Sequence, residues 1–278
     1  MKHEDKIKGT WKILLFTELA SLIVAIPYGW MVIKAFTTAD GAFTLSNWSF
    51  LYQESPFFRG LVLPVIWPSI ITSLIFAAVT ALLQIVVTIP TAYTISRMQF
   101  CGRTKLTKLM IILDAFPTVA LLIGFFYVLN ALGLINTYIG VVLVKVGMSL
   151  SGSIWLMKGF FDQVPWDIEW ATTVDGASRF TAFLKVIIPA VKPGSAVILV
   201  YSFLSGWAEY MLINLFIYSS GSTVSTFIGL MLDAEGKTTV PYGIMAAASL
   251  LYVLPTVLLF IFSQKMLLKV SQGGSKQL

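Results

Sequence analysis

Residue types that commonly carry out chemistry are scarce in this 278-residue sequence. His3 is the only histidine and Cys101 the only cysteine, so a disulfide within the chain and a cysteine metal cluster are excluded. The sequence offers no Ser-His-Asp set for hydrolysis and no Gly-x-x-x-x-Gly-Lys-Ser/Thr loop to cradle phosphates. We therefore predict that the chain is not an enzyme, has no catalytic residue and binds neither a metal nor a cofactor.

Recognition of a protein partner is the chemistry that one polar stretch in the second half of the chain does indicate. Pro165 suits the first turn of a helix, and Gly176 permits a turn after it. Trp166, Trp170 and Val174 recur every four residues and form an apolar ridge on that helix. Because tryptophan is a frequent interface anchor, the ridge is a candidate docking surface. The alternative is that it packs on the chain's own spans or lies on the membrane surface.

A second helix is expected after the glycine turn. Ser178 suits its N-cap, and Pro189 closes it. The apolar residues between them follow the spacing of one helix face and are Phe180, Phe183, Leu184, Ile187 and Ile188. The stretch therefore predicts a short helix, a glycine turn and an amphipathic helix, which together are long for a simple connector.

The composition places these two helices between membrane spans. Hydrophobic residues make up 57% of the chain and charged residues 12%, and the mean hydropathy is +0.85. These values lie far from those of ordinary globular domains, and several apolar runs are long enough to cross a bilayer. We predict an all-α polytopic membrane protein with about six transmembrane helices. They lie within Ile13–Ile33, Val65–Tyr93, Leu109–Leu129, Tyr138–Phe161, Ser195–Ile217 and Gly243–Leu268.

The predicted organisation is a single transmembrane domain over residues 1–278. The first span and an outer connector occupy residues 1–64, and a core of five spans occupies residues 65–268 and includes the loop 162–194. A tail follows at 269–278. Of the 19 Lys and Arg residues, 15 fall in the termini and in the alternate connectors that include this loop. The positive-inside rule therefore places both termini and the loop in the cytoplasm.

Four stretches resemble a known family. The loop resembles the "EAA" loop of binding-protein-dependent ABC importer permeases, since Gly176 is followed after nine residues by Val186-Ile187-Ile188-Pro189. The acidic residue of that pattern stands one place early, at Glu169, and Trp170 takes its usual place. Three other stretches resemble the carbohydrate branch, typified by the second permease of maltose importers. They are Ser96–Arg103, Leu132–Tyr138 and Trp207–Tyr210.

The resemblance implies the transmembrane subunit of an ATP-driven sugar importer in a bacterial or archaeal cell membrane. Its expected protein partners are a second related permease, two cytoplasmic ATPase subunits that hold ATP and Mg²⁺, and an extracytoplasmic solute-binding protein. The chain would also contact a sugar or oligosaccharide and membrane lipid, and no nucleic acid is expected. The short helix would be the coupling helix that docks on the ATPase. Its expected docking residues are Trp166, Glu169, Trp170, Ala171, Val174, Asp175, Gly176 and Arg179.

Polar residues inside spans are candidates for the translocation pathway, because they are costly in lipid. Glu209, beside Trp207 and Tyr210, is the preferred candidate, since aromatic and polar groups together suit a sugar; plain helix packing is the alternative. Asp114 lies before Pro117, where a gate, a helix break or a ligand contact would fit. Lys145 is expected to extend to a membrane interface.

Two further segments carry expectations from the resemblance. The outer loop Tyr218–Tyr242 would contact the binding protein, and the tail Lys269–Lys276 would enter the ATPase dimer interface. An ATP-independent secondary transporter, a channel or a membrane scaffold is the competing function. The sequence shows no inverted repeat that would favour a secondary transporter.

Overall fold

Helices form most of the chain in the computed structural model, which describes residues 2–58, 61–219, 221–233 and 242–274. Twelve α-helices are described, α1 to α12 in chain order. They are Lys2–Ala35, Trp67–Arg97, Arg103–Asp114, Thr118–Ala131, Tyr138–Asp162, Trp166–Val174, Arg179–Ala182, Ile188–Ala190, Lys192–Trp207, Met211–Phe216, Val224–Asp233 and Tyr242–Gly274. A π-helical turn, Phe183–Ile187, joins α7 to α8. This mostly helical architecture agrees with the all-α prediction.

The described chain forms two compact units, one from residues up to 67 with 228–255, the other from 68–227 with 256 onwards. The single domain predicted over residues 1–278 stays a prediction. The first unit holds α1, and the most apolar 18-residue window of its segment Leu14–Ala35 has no buried residue within the chain. Such a surface must be covered by lipid or by another protein.

The outer connector of the first unit is built on the end of α1. The Asn47 side-chain amide donates to the carbonyl oxygens of Lys34, Ala35 and Thr37 at 3.0–3.3 Å, which satisfies acceptors that a helix C-terminus leaves open. A 3₁₀ helix, Ser46–Leu51, follows, and then an antiparallel hairpin of β1, Ser55–Phe58, and β2, Leu61–Leu63. The hydropathy of residues 55–63 gave no prediction of this hairpin.

The core of the second unit is two apolar clusters that share α2 and α5. One joins them to α4 and α10 and contains Phe76, Leu129, Val141, Leu212 and Phe216. The other joins them to the π-helical turn and α9 and contains Tyr93, Met157, Phe161, Ile187 and Ile198.

Small and polar residues let α2 pack closely against its neighbours. Ser73, Thr80, Gln84 and Thr88 are all buried on this helix. An added Cβ at Gly206 of α9 would lie 3.0 Å from the Cα of Ala77, so the two backbones approach closely there, as small residues permit between membrane helices.

Four helices of the described chain are long and apolar enough to cross a membrane, and the number reaches six if each of two bent helix pairs is one span. The predicted spans one, two, four and six are single helices. Span three is instead α3 and α4, bent by 104°. Pro117 precedes α4 in extended conformation and has no N–H to continue α3, which confirms the helix break considered there.

Span five also differs from the prediction. The helix α9 begins at Lys192, is bent by 72° from the preceding segment Arg179–Ala190 and ends at Trp207. Residues 208–210 interrupt it before α10. Hydropathy gave one uninterrupted span because no proline or glycine stands in this break.

Candidate functional site

The polar stretch folds as a short helix and a glycine turn, as predicted. Pro165 immediately precedes α6. At its end the Gly176 N–H donates to Thr173 O at 3.0 Å and the Ala177 N–H to Thr172 O at 3.2 Å. This pair of bonds is the Schellman motif, and Gly176 has the positive φ, +85°, that it requires. Ser178 then caps α7, since its hydroxyl accepts from the Thr181 N–H at 3.2 Å.

The second helix differs from the uninterrupted amphipathic helix that we predicted. It consists of α7, the π-helical turn and α8, and Pro189 lies inside it at the start of α8 instead of closing it. The wider turn precedes a residue that cannot donate a backbone hydrogen bond. The predicted apolar face is only partly covered, because Ile187 is buried while Phe180 is 69% exposed.

The apolar ridge on α6 is open to solvent. Trp166 is 43% exposed, Trp170 59% and Val174 85%, and the two indole rings lie 6.1 Å apart. Trp170 and Val174 are therefore not packed on the chain's own spans. Ala171, Asp175, Gly176 and Arg179 are exposed as well.

Glu169 is the exception among the predicted docking residues, because it turns inward and is only 7% exposed. The Tyr93 hydroxyl donates to its Oε1 at 2.7 Å, and Arg97 Nε lies 3.8 Å from its Oε2. The carboxylate thus joins α6 to the end of α2. In this arrangement Glu169 positions the helix, and its role as a docking residue stays a prediction.

Arg97 holds the same junction from a buried position that sequence reasoning missed. Its Nη2 donates to Phe161 O at 2.6 Å and also to Val164 O, at the C-terminal end of α5, where a cation is favoured. Its guanidinium carbon lies 4.4 Å from the centre of the Trp166 ring, in reach of a cation–π contact.

The sequence signal that could have pointed to Arg97 is its position in the segment Ser96–Arg103, which resembles the carbohydrate branch. The Ser96 hydroxyl donates to Asp162 Oδ1 at 2.6 Å, and Arg103 Nη2 donates to Ser96 O at 3.0 Å. The segment therefore ties the ends of α2, α3 and α5 together beneath α6.

Glu209 lies in the break between α9 and α10 and is 8% exposed. Its Oε2 is 2.5 Å from Lys145 Nζ of α5, and its Oε1 accepts from the Leu212 N–H at 2.9 Å. The prediction that Lys145 extends to an interface is therefore wrong, because this ammonium pairs inside the chain. Trp207 is buried and Tyr210 half-buried beside Glu209, and the pathway role of these three residues stays a prediction.

Asp114, the last residue of α3, lines two cavities. One, of about 470 Å³, also has Phe116, Phe125 and Ser151 in its wall. The other, of about 280 Å³, is lined by Ser149, Gly152, Ser153 and Tyr201 among others. Asp114 is thus the predicted pathway residue that faces open space.

The outer turn and the outer loop carry more structure than expected. Asn136 has a positive φ of 58°, and its Oδ1 accepts from the Tyr218 N–H at 2.9 Å. The predicted loop Tyr218–Tyr242 contains α11, in which Phe227 and Met231 are buried. Residues 220 and 234–241 of that loop, and residues 275–278 of the tail, lie outside the described residues.

Comparison with known proteins gives consistent relatives. The family model described as "Binding-protein-dependent transport system inner membrane component" matches residues 89–269. The chain is 28% identical to the maltodextrin transport system permease protein MdxG of Bacillus subtilis, over 94% of each chain. It is 27% identical to the trehalose/maltose transport system permease protein MalG of Thermococcus litoralis, over 92% of this chain and 93% of that one.

A solved structure shares the fold. It is a chain in the crystal structure of a bacterial ABC transporter involved in the import of the acidic polysaccharide alginate. The superposition has a TM-score of 0.75 at 19% identity and covers 94% of this chain and 97% of that chain.

Proposed function

The chain belongs to the binding-protein-dependent transport system inner membrane components, and from this membership we propose that it is the transmembrane subunit of an ATP-driven importer for a sugar or oligosaccharide. The relatives named for maltodextrin and for trehalose and maltose support the sugar. Alternating access between inward-open and outward-open arrangements would move the solute. The chain would work in the cell membrane of a bacterium or archaeon.

The observation that carries the ATP-driven mechanism is the exposed ridge on α6. Trp170 and Val174 lie on the side of α6 away from the contacts of Glu169 and Arg97, and Trp166 stays 43% exposed although its ring lies against the Arg97 guanidinium. A helix that is anchored by these contacts and has an exposed aromatic ridge suits a partner that moves it, because the movement is then passed on to the spans. The partner we propose is a cytoplasmic ATPase, present in two copies, which binds ATP and Mg²⁺.

The remaining partners complete the importer. A second permease, related to this chain, would supply the other half of the pathway, and an extracytoplasmic solute-binding protein would deliver the sugar. The loop 162–194 and both termini would then face the cytoplasm. The five-span core 65–268 would form the pathway within one transmembrane domain.

Replacing Trp170 by Asp tests the docking role. We expect the purified complex to lose its ATPase subunit, or to bind it at least about tenfold more weakly, because interface anchors of this type commonly contribute about 2 kcal/mol or more. Co-purification and ATP hydrolysis by the reconstituted complex measure the effect. Tyr52→Asp is the matched control, since Tyr52 is an exposed aromatic of the outer connector.

Two results would contradict the proposal. A Trp170→Asp complex that assembles with the ATPase and transports like the wild type would remove the docking role. Uptake that survives depletion of ATP would favour the competing class, a secondary transporter or channel.

A further inference from the structure

Asp114 is exposed within this chain and differs from the two buried carboxylates of the described second unit in having no partner. Glu169 has Arg97 at 3.8 Å and Glu209 has Lys145 at 2.5 Å. For the Asp114 side chain the described residues provide neither a hydrogen bond nor an ion pair. No lysine or arginine is among the residues that line its two cavities. A charge in a membrane-spanning segment is costly, so an unpartnered one calls for a functional reason.

The fold places this carboxylate at the end of α3 opposite the basic residues Arg103, Lys105 and Lys108. The helix α3 begins at Arg103 and has 12 residues, so Asp114 lies about 17 Å along the helix from that basic end. The 104° bend after α3 turns the next helix away and leaves Asp114 at an open helix end.

The opposite helix leaves room for the carboxylate. A Cβ added at Gly152 of α5 would lie 3.4 Å from Asp114 Oδ1 and 3.7 Å from Oδ2. Glycine at this position therefore lets the two cavities meet at the carboxylate, where a larger side chain would fill the space beside it.

The walls of the two cavities match two kinds of sugar surface. Phe116, Phe125 and Met148 give the larger cavity an apolar and aromatic wall, which suits the C–H faces of a pyranose ring. Ser149, Ser153 and Tyr201 give the smaller cavity hydroxyl groups, which can donate to or accept from sugar hydroxyls.

A buried amide adds an unfilled donor behind the smaller cavity. The Ser149 hydroxyl donates to Gln84 Oε1 at 3.0 Å. Gln84 is fully buried, and its Nε2 has no hydrogen-bond partner in the part of the chain that the structure describes. Buried donors are rarely left unsatisfied, and this one lies behind Ser149, outside the lining of both cavities.

We propose that Asp114 is a specificity-determining residue of the translocation pathway, which accepts hydrogen bonds from a sugar without acidic groups and repels sugars that carry carboxylate or sulfonate groups. The inference rests on the proposed function. A carboxylate accepts strong hydrogen bonds from hydroxyl groups. With no cation in either cavity wall, the same charge opposes the entry of an anion.

The charge of the cavity can be measured without knowing the sugar. In a Cys101→Ser background, Ser151→Cys places a single thiol of this chain in the wall of the larger cavity. The complete complex is treated with two methanethiosulfonate reagents of similar size, one cationic and one anionic. We expect the cationic reagent to label the thiol roughly tenfold faster, relative to the rates of both reagents with a free thiol in solution.

Variants at Asp114 then show whether its charge causes the ratio of cationic to anionic labelling rates. Asp114→Asn should bring it close to one, Asp114→Glu should preserve it, and Asp40→Asn, which removes an exposed carboxylate outside both cavities, should leave it unchanged. A ratio near one in the wild type, a ratio that survives Asp114→Asn, or the absence of labelling by either reagent would overturn the proposal.

A matched pair of sugars tests selectivity in the same assay. Without the solute-binding protein, millimolar maltotriose should protect the thiol from labelling, and trimannuronate should protect it at least about tenfold less well. In Asp114→Asn this difference should disappear. Protection by trimannuronate equal to that by maltotriose in the wild type would overturn the proposal. ATP hydrolysis by each preparation reports separately on assembly with the ATPase. A failure of the proposed function can therefore be distinguished from a failure of the proposal for Asp114.

Discussion

Charged side chains near the junction of α2, α5 and α6 position these helices. Arg97 is the clearest positioning residue, because it contacts Glu169, the ring of Trp166 and two carbonyl oxygens at the end of α5. The position of the exposed ridge therefore depends on the Arg97 guanidinium, which is buried.

Replacing Arg97 by Met should strip Glu169 of its cation and leave two carbonyls without their donor. Removing one partner of a buried ion pair commonly costs about 3–5 kcal/mol; the 3.8 Å separation here favours the lower end. Thermal unfolding of the purified complex measures the loss. The stability of the Arg97→Lys complex should lie between those of the wild type and the Arg97→Met complex, because lysine keeps the charge but lacks the planar guanidinium that reaches several acceptors.

Arg103→Met is the matched control for that experiment. Arg103 donates one hydrogen bond, to Ser96 O, and its loss should cost only about 1 kcal/mol. Equal stability of the Arg97→Met complex and the wild type would show that the buried contacts do not hold α6.

Residue roles on α6 were only partly accessible from the sequence. The four-residue spacing of Trp166, Trp170 and Val174 predicts their common face correctly, since helical periodicity is a local property. The inward position of Glu169 was not predictable in this way. It depends on Tyr93 and Arg97, which lie more than 70 residues earlier in the chain.

At the scale of helices, the apolar spans were predictable and their interruptions were not. Hydropathy averages over a window longer than a break, so α3 with α4 and α9 with α10 each resembled one span. Pro117 gave a usable signal for the first break. The second break is specified by long-range contacts of Glu209 with Lys145 and of the Glu209 carbonyl with the Ser225 hydroxyl.

The Lys145–Glu209 pair should fasten this second break to α5. Lys145→Met and Glu209→Leu should each destabilise the complex by about 3–5 kcal/mol, because each leaves a buried charge alone. The double variant should recover much of that loss, since it leaves no buried charge. Thermal unfolding of the four proteins forms a double-mutant cycle and gives their coupling energy.

A more exposed ion pair of the same chain provides a comparison for the coupling energy of Lys145 and Glu209. Lys158 and Asp162 are also 2.5 Å apart but more exposed, so their coupling should be below about 1 kcal/mol. Additive losses at Lys145 and Glu209 would mean that the break is held by apolar packing instead.

At the scale of the whole molecule, the distribution of basic residues predicts an orientation. Most lysines and arginines fall in the termini and alternate connectors, and cytoplasmic connectors carry this excess. The orientation decides whether the ridge on α6 can meet a cytoplasmic ATPase at all.

The single cysteine of the chain offers a direct test of that orientation. Cys101 is exposed in the connector between α2 and α3, and the basic residues Arg103, Lys105 and Lys108 predict a cytoplasmic position for this connector. A membrane-impermeant maleimide should leave Cys101 unlabelled in intact cells and label it after permeabilisation. Tyr52→Cys in a Cys101→Ser background should show the opposite pattern, because Tyr52 is exposed in the outer connector. Labelling of Cys101 in intact cells would reverse the topology, place α6 outside the cell and remove the ATPase from its reach.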